Sequence, residues 1–336
     1  MSIKWMKVEV DDFGHTIYAP DLALMVRERL MEGYGLKSGF DPAAIGKVLV
    51  RQLEEGPSPS GGLRLSSSGQ CIRQLAYNYH HYKPNGFVGD ASSPIAFAIG
   101  DIVELVVVAA LHEAVAGTDI EISSTDVDQE TVFLSLPLDD KREARISGHP
   151  DGVMTVPIKS VGADGYEEIE YRKAILEVKS MSDYAFKKFR INGLGKDDLY
   201  NYQTQAYQLA KTQMTGDDYS LSYVIAFGKN VSAKDAVLRE DGSWFKTWPL
   251  VGKWVGCHMD IKKEIVEKYE AIINSNSPED FDRPFGPSTA KKTRGQLKFP
   301  CDWCAHWKTC WPTAEESAVA TGWFQRTTKL KVIVPE

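Results

Sequence analysis

The stretch Ala174-Ile175-Leu176-Glu177-Val178-Lys179, preceded at a distance by Pro150-Asp151, is the part of the chain that decides the predicted fold. Its apolar residues lead into Glu177 in the manner of a strand, and side chains of a strand alternate between two faces. Glu177 and Lys179 therefore share one face, and Val178 points to the other. A carboxylate beside an ammonium group suits metal coordination next to the orientation or activation of a water molecule.

The same two segments also have an ordinary structural interpretation. Pro-Asp-Gly at 150–152 is a common turn sequence. Alternating Glu and Lys residues are common on solvated strands. Taken alone, the two segments predict a turn and a strand before they predict a catalytic site, so the interpretation depends on the rest of the chain.

Composition and charge limit the classes of function. The 336 residues suffice for one large domain or two ordinary ones, and 39 Lys plus Arg against 46 Asp plus Glu give a net charge of −7. This acidic balance argues weakly against nucleic-acid binding, because carboxylates at a metal site also add to the negative total. The N-terminus lacks the apolar core of a signal peptide, and the most hydrophobic stretch, 102–111, is too short to span a bilayer. We therefore expect a cytoplasmic protein with no membrane association.

The periodicity of apolar residues predicts alternating helices and strands. Pro94 in a first turn and Gly117 at a stop delimit one long helix. Short alternating segments between residues 120 and 171 predict antiparallel strands. Further helices are predicted at 22–31, 43–53, 183–191, 199–214 and 254–274, further strands at 219–227 and 244–248, and irregular structure at 275–300. This order predicts an α/β fold with a mixed central sheet flanked by helices.

Three cysteines near the C-terminus, Cys301, Cys304 and Cys310, have spacing typical of metal ligands, and Cys71 provides a fourth thiol far upstream. Four thiolates satisfy either a zinc ion or an iron–sulfur cluster. Such a centre would join segments more than about 200 residues apart, so that metal binding would contribute to folding stability. Cys257 lies outside this pattern, and we interpret it as a packing cysteine.

Jointly, these motifs resemble a known family. Cys71-x-Arg73-x-x-x-Tyr77, the Pro-Asp…Glu-x-Lys core and the C-terminal cysteines are similar to those of the RecB-like PD-(D/E)XK nucleases. The resemblance is to the iron–sulfur branch, which includes CRISPR-associated exonucleases and AddB-type nucleases. It implies a 4Fe–4S cluster held by the four cysteines, a restriction-endonuclease-like sheet, and cleavage of DNA that depends on Mg²⁺ or Mn²⁺. Residues 61–311 would form this core with its C-terminal cluster clasp, after a mostly helical accessory region (1–60) and before a tail (312–336).

Two further motifs complete the site that the resemblance implies. Glu104, four residues after Gly100, stands where family members often have a histidine, and Gln203 and Tyr207 match a Gln-x-x-x-Tyr motif. The metal would be held by Glu104, Asp151, Glu177 and the Val178 carbonyl. Lys179 would orient or deprotonate the water, and Gln203 and Tyr207 would contact the DNA backbone or orient the lysine. The alternatives are that Glu104 faces outward from an amphipathic helix and that Gln203 and Tyr207 are ordinary helix residues.

Basic residues near the motifs are candidates for tracking DNA. They are Lys187, Lys188, Arg190, Lys291, Lys292, Arg294 and Lys298. Trp303 and Trp307 lie between the cysteines, where shielding of a metal centre is the favoured role over stacking on a base. Residues 329–334 resemble an edge strand that pairs with the core or with a partner.

The sequence therefore leads to one favoured hypothesis and two alternatives. The favoured one is an exonuclease acting on DNA ends or single-stranded DNA in recombination, repair or spacer processing, with protein partners or a homo-oligomer left open. The first alternative is a cleavage-deficient iron–sulfur subunit that binds DNA or serves assembly; Glu104 in place of the common histidine supports it, and the intact Asp151, Glu177 and Lys179 argue against it. The second is a zinc protein of unrelated function in which the motif match is accidental.

Overall fold

The computed structural model describes most of the chain. The described residues are 2–10, 15–31, 50, 62–85, 93–123, 130–139, 142–229, 237–238, 244–245, 249–285, 297, 301, 304–312, 314–318 and 328–332. The helices are α1 (Leu22–Met31), α2 (Ile72–Tyr79), α3 (Ser93–Val115), α4 (Asp183–Asn192), α5 (Leu199–Thr215), α6 (Met259–Ile273) and α7 (Trp307–Cys310). The strands are β1 (Trp5–Val10), β2 (Thr16–Pro20), β3 (Glu121–Ile122), β4 (Val132–Asp139), β5 (Arg142–Gly148), β6 (Gly152–Val161), β7 (Glu167–Met181), β8 (Leu221–Gly228), β9 (Val237–Leu238), β10 (Trp244–Phe245), β11 (Leu250–Val255), β12 (Ala314–Ala318) and β13 (Thr328–Val332). Leu65–Ser67 and Pro278–Asp280 form short 3₁₀ turns.

A mixed sheet occupies the centre of the fold, as predicted. In the described chain it has seven strands in the order β1-β2-β6-β7-β8-β11, with β3 added beside β6. β7 pairs with β6 in antiparallel and with β8 in parallel orientation, and β11 is antiparallel to β8. β4 and β5 form a separate hairpin.

The two faces of the sheet are covered by different helices. On one face α1 and α3 pack against Leu176 and Val178 of β7. On the other face α5, α6 and the β4–β5 hairpin pack around Ile175. Because β7 is buried on both faces, its apolar run is continuous rather than alternating. Glu177 and Lys179 follow this run on the face of Ile175.

The end of β7 extends past the end of β6. The last residue pair between these strands joins Gly152 to Leu176, whereas β7 remains paired with β8 as far as Met181. The backbone of residues 177–181 on the β6 side is therefore outside the ladder. This overhang is the place where the predicted site residues collect.

The N-terminal region differs from the expected mostly helical accessory region. Residues 5–10 and 16–20 form β1 and β2, which pair with each other, and β2 extends the central sheet by pairing with β6. Two-residue alternation of apolar and polar side chains in Trp5–Val10 favours a strand. The helix at 22–31 is confirmed, and the one predicted at 43–53 lies outside the described residues apart from Val50.

A close packing contact fixes the start of α1 on the sheet. The Tyr223 hydroxyl accepts a hydrogen bond from the Ala23 N–H at 3.0 Å, and the Trp254 indole N–H donates to the Pro20 carbonyl at 3.0 Å. Tyr223 crosses the neighbouring strand at Gly252, where a Cβ atom would lie 1.9 Å from its hydroxyl oxygen. Glycine is therefore required at position 252 for this contact.

The helix predicted at 254–274 is wrong at its start. Residues 250–255 form β11, and the helix begins only at Met259. Trp254 and Val255 have side chains that favour strands, and they pair with Tyr223 and Ser222 of β8. The helices predicted from Pro94, at 183–191 and at 199–214, and the strand at 219–227, agree with the structure within a few residues. No helix in the described part of the chain could span a membrane.

Candidate active site and cysteine pocket

Asp151 is held at the overhang of β7 by a backbone contact. The Val178 N–H donates to Asp151 Oδ2 at 2.6 Å, and the Asp151 side chain is buried. In a strand the N–H and C=O of one residue point to the same edge, so the Val178 carbonyl faces the same side as Asp151. The structure thus brings together the two halves of the Pro-Asp…Glu-x-Lys motif.

Glu177 is the most deeply buried of the site carboxyl groups, with 1% of its surface exposed. Its Oε1 accepts hydrogen bonds from the Lys179 ammonium group and from the Gln203 amide, the latter at 2.7 Å. Its Oε2 is also buried and has no hydrogen-bond partner among the described residues. Because buried carboxylate oxygens are almost always satisfied, this atom is a candidate ligand for a cation.

Glu104 reaches the site from helix α3. It is partly buried and shares a hydrogen bond with Asp151. The helix passes close to the end of β7 at Gly100, where a Cβ atom would lie 3.2 Å from Ser180 Oγ. The prediction that Glu104 turns inward toward the motif agrees with this geometry, and the alternative of an outward-facing residue does not.

Burial and neighbouring carboxyl groups raise the pKa values of Glu104 and Glu177. Burial, followed by the charge of Asp151, raises the pKa of Glu177 to about 8, and the same two causes raise the pKa of Glu104 well above its ordinary value. Burial also raises the pKa of Asp151, although Lys179 and the Val178 N–H oppose this shift. A divalent cation would relieve the mutual repulsion of such a group.

For Lys179, the neighbouring charges oppose the effect of burial on the pKa. Burial alone would lower its pKa, but Glu177 and Asp151 outweigh burial and raise the pKa above the usual lysine range. The side chain is therefore an ammonium group at neutral pH. Its Nζ also lies 5.7 Å from the centre of the Tyr200 ring, a contact that the Gln-x-x-x-Tyr motif did not predict. Tyr200 lies three residues before Gln203 on α5, and only this helical spacing could have indicated it.

Gln203 and Tyr207 form a second layer behind Glu177. The Gln203 amide, which donates to Glu177, also lies 3.2 Å from the Tyr207 hydroxyl. Only 7% of Gln203 and 2% of Tyr207 are exposed, so neither has surface available for a DNA backbone. Their geometry fits the other predicted role, which is to orient the charged groups of the site.

The four predicted cluster cysteines also meet in space. Cys71, Cys301, Cys304 and Cys310 line one cavity of about 20 Å³ together with Arg73, Gln74, Tyr77, Trp307 and Trp311. All five cysteines of the chain lie in the described residues, and none forms a disulfide. Burial raises the pKa of Cys304 to about 12, with the neighbouring cysteines adding to the shift. Without a cation the Cys304 thiol would therefore remain protonated.

Contacts between α2 and the C-terminal segment hold the two halves of this cysteine pocket together. His306 is fully buried, stacks on Tyr77 with ring centres 5.1 Å apart, and lies 2.8 Å from Asn78 Oδ1 through its Nε2 atom. The His306 N–H also donates to Cys304 Sγ at 3.4 Å. Trp307 is buried against the cysteines, as expected for a shielding residue, whereas Trp303 lies outside the described residues.

Neither cluster has the geometry of an assembled metal site. Among the residues that the structure describes, no three His, Cys, Asp or Glu side chains are arranged to hold a metal ion. In the carboxylate cluster, Asp151 Oδ2 accepts a hydrogen bond from the Val178 N–H, and Glu177 Oε1 accepts hydrogen bonds from Lys179 and Gln203. The donor types nevertheless fit: oxygen ligands around the unpartnered Glu177 Oε2 suit Mg²⁺ or Mn²⁺, and four converging thiols suit zinc or iron.

The remaining predicted residues are more scattered. Lys187, Lys188 and Arg190 lie on α4, directly after β7. Lys291, Lys292, Arg294 and Lys298 lie outside the described residues.

Cys257 is not in the cysteine pocket; it precedes α6 and contacts the Met259 sulfur at 3.6 Å. Residues 328–332 form a strand that overlaps the one predicted at 329–334, but it pairs with β12 in a separate two-stranded sheet and not with the central sheet.

Comparison with known proteins adds no family to this description. No protein-family model matches the chain, and no curated protein matches it. The function must therefore be inferred from the two residue clusters themselves.

Proposed function

We propose that this protein is a metal-dependent deoxyribonuclease that hydrolyses phosphodiester bonds at DNA ends or in single strands. The observation that carries the proposal is the convergence of Glu104, Asp151 and Glu177 on Lys179, with one buried Glu177 oxygen that has no hydrogen-bond partner in the described part of the chain. The mixed sheet, with α3 and α5 directing side chains to the ends of β6 and β7, also supports the restriction-endonuclease-like core that the sequence resemblance implies. The proposed reaction is hydrolysis of a phosphodiester bond alone.

The site residues divide into those that hold a cation and those that position other groups. Glu104, Asp151, Glu177 and the Val178 carbonyl would supply hard oxygen ligands for Mg²⁺ or Mn²⁺. Such an ion, when bound, polarises the phosphate and lowers the pKa of its water molecule. Gln203 holds Glu177 through Oε1, and Oε2 has no hydrogen-bond partner among the described residues.

Lys179 acts as a cation in this proposal rather than as a base. Its raised pKa keeps it protonated at neutral pH, so it donates hydrogen bonds and does not accept the proton of the attacking water. A fixed ammonium group next to a phosphodiester stabilises the negative charge that develops on the phosphate oxygens. Of the two roles that the sequence left open for Lys179, the raised pKa favours orientation of the water over its deprotonation.

The cysteine pocket supports a structural 4Fe–4S cluster in the same protein. Cys71 precedes α2, and the other three cysteines lie at or near α7, so a cluster held by all four would join distant parts of the chain. Phosphodiester hydrolysis needs no electron transfer. We therefore assign the cluster a structural role, in which it links the two segments that carry the cysteines. Iron and sulfide analysis of protein purified without oxygen separates this cluster from a zinc ion.

The nuclease proposal is tested by the metal dependence of DNA cleavage. End-labelled single-stranded and duplex DNA would be incubated with Mg²⁺, Mn²⁺ or a chelator, using wild-type protein and the Lys179→Ala variant. We expect cleavage only with metal, and a loss of about 100- to 1,000-fold on substitution, the range for one charge-stabilising donor. Thermal unfolding of both proteins shows whether the variant remains folded.

Lys173→Ala is the matched control for this experiment. Lys173 lies on the same strand and the same face, about 20 Å from Lys179, and forms an exposed ion pair with Asp217. We expect it to cleave DNA like the wild type. Wild-type protein that binds DNA but does not cleave it with either metal would contradict the proposal and support the cleavage-deficient alternative.

A further inference from the structure

Helix α4 presents an unusual set of side chains to solvent. Tyr184, Lys187, Lys188 and Ile191 are spaced by three, four and seven residues and so form one stripe along the helix. Tyr184 is 81% exposed and Ile191 is 72% exposed. The opposite face of α4 is buried through Phe186 and Phe189. We call the four outward residues the α4 stripe.

The stripe differs from an ordinary solvated helix face. A charged outer face is common, and single exposed apolar residues need no explanation. Here an aromatic and a large aliphatic side chain stand on the same outward face with two lysines between them. Apolar groups next to positive charge are the combination used to bind single-stranded nucleic acid, in which bases stack on aromatic rings and lysines contact phosphates.

The position of α4 connects the stripe to the candidate active site. The helix begins two residues after β7 ends at Met181. Its buried face contacts the cluster of Met181, Val224 and Val255, against which Tyr200 also packs. The Tyr200 ring in turn lies 5.7 Å from Lys179 Nζ. The stripe is therefore on the outer side of the layer that supports the catalytic lysine.

We propose that the α4 stripe binds a single DNA strand leading to Lys179, with Tyr184 stacking on a base and Lys187 and Lys188 contacting phosphates. The proposal rests on the proposed function and names its substrate as single-stranded. Duplex DNA keeps the faces of its bases stacked on one another, so an exposed tyrosine ring gains a stacking partner only in a single strand. Ile191 lies one turn beyond Lys188 and extends the apolar contact.

Charge on the stripe favours a phosphate ligand. Lys188 is exposed, and Lys187 forms an ion pair with Asp183 at 3.2 Å in which both side chains are about two-fifths exposed. Exposed pairs of this kind contribute little to stability. Lys187 can therefore exchange its carboxylate partner for a phosphate at small cost. The stripe thus supplies both contacts that a single strand requires.

Binding of a fluorescently labelled single-stranded oligonucleotide, measured in a chelator so that no cleavage occurs, tests this proposal. We expect Tyr184→Ala to weaken binding about 5- to 100-fold, the range for loss of one stacked base. We expect Lys188→Glu to reduce the slope of log affinity against log salt by at least about 0.7, as for one lost phosphate contact. Duplex DNA should be affected less by Tyr184→Ala.

Tyr166→Ala is the matched control, because Tyr166 is 69% exposed and lies in the β6–β7 connection, at the opposite end of β7 from Lys179. The affinity of Tyr166→Ala for the single-stranded oligonucleotide should equal that of the wild type. Unchanged binding by Tyr184→Ala overturns the assignment of the stripe, and an equal loss for duplex DNA overturns its single-strand preference. The proposed function fails separately, if wild-type protein cleaves no DNA with Mg²⁺ or Mn²⁺ even though Tyr184 is needed for binding.

Discussion

Glu177 shows at the residue scale what a buried carboxylate costs in a folded protein. It is 1% exposed, and one of its oxygens has no hydrogen-bond partner among the described residues. A buried polar group left unsatisfied costs about 1–3 kcal/mol, and more when it is charged. Lys179 and Gln203 offset part of this cost through the other oxygen. The remainder is the free energy that a bound divalent cation would recover.

The raised pKa of Glu177 predicts how the stability of the metal-free protein depends on pH. The pKa of Glu177 is raised in the folded state to about 8, so the unfolded chain loses this proton at lower pH than the native protein. Stability linked to Glu177 is then fully present below about pH 4.5 and is lost as pH rises through 8, with a slope of at most about 1.4 kcal/mol per pH unit. Denaturant unfolding in a chelator between pH 5 and 9 measures this slope.

Glu177→Gln is the reference for that measurement. It keeps the shape of the side chain but removes the titration, and groups outside the site, such as His306 with its lowered pKa, contribute equally to both curves. We expect the stability of the wild type relative to Glu177→Gln to fall across this range. Above pH 8, Mn²⁺ should raise the stability of the wild type more than that of the variant. Parallel curves without metal would contradict the assigned burial of Glu177.

At the scale of elements, the site depends on how α5 sits against the β4–β5 hairpin. Tyr207 packs onto Gly148 at the end of β5, where a Cβ atom would lie 2.6 Å from Tyr207 Cε1 and 2.8 Å from Leu65 Cβ. Tyr207 contacts Gln203, which contacts Glu177. The position of Glu177 is thus set in part by the absence of a side chain at Gly148.

Gly148→Ala should therefore damage activity without changing any charged group. We expect a stability loss of about 1–3 kcal/mol from overpacking and a drop in cleavage rate of up to about 100-fold from displacement of the positioning layer. Unfolding by denaturant and the cleavage assay measure the two effects. Gly256→Ala is the control, because a Cβ atom there meets nothing within 4 Å. Full activity of Gly148→Ala would show that Tyr207 does not position the site.

Helices and strands with strong local patterns were predictable, and long-range pairings were not. The buried strand β7 and the helices α3 and α5 follow from apolar runs and helix boundaries in the sequence. The predicted start of α6 was wrong because the strand preference of Trp254 and Val255 is realised through their pairing with β8, which the apolar periodicity does not report. Likewise, β1 and β2 belong to the central sheet through contacts with residues about 140 positions away, which no local pattern reports.

The same distinction applies to the candidate site. The residue types of Asp151, Glu177 and Lys179 are evident in the sequence, and their convergence with Glu104 agrees with the expected motif. The contact of Tyr200 with Lys179 and the packing of Tyr207 on Gly148 depend on side-chain geometry across separate elements. Burial decides whether a helix residue positions other site residues or is available to contact a substrate. Only the folded structure gives this burial.

At the scale of the whole molecule, the cysteine pocket joins the two ends of the proposed core. Cys71 stands before α2, whereas Cys301, Cys304 and Cys310 follow the last long helix, α6. His306 and Asn78 bridge the same two segments without any metal. A cluster held by all four thiols would close a loop of about 230 residues, and such a closure restricts the unfolded chain strongly.

Loss of one pocket cysteine should therefore destabilise the entire protein. We expect Cys71→Ser, purified without oxygen, to contain less iron than the roughly four atoms of a 4Fe–4S cluster and to be less stable by a few kcal/mol. Metal analysis and denaturant unfolding provide the two readouts. Cys257→Ser is the control, because Cys257 lies outside the pocket. Equal iron content and stability in wild type and Cys71→Ser would exclude the pocket as the cluster site.

The central claim concerns the chemistry at Lys179, and the rate of DNA cleavage tests it most directly. Single-turnover cleavage of one end-labelled strand would be measured for wild type, Lys179→Ala and Lys173→Ala at the same Mn²⁺ concentration. The account predicts that Lys173→Ala matches the wild type and that Lys179→Ala is slower by about 100- to 1,000-fold. Equal rates for wild type and a folded Lys179→Ala variant would contradict it.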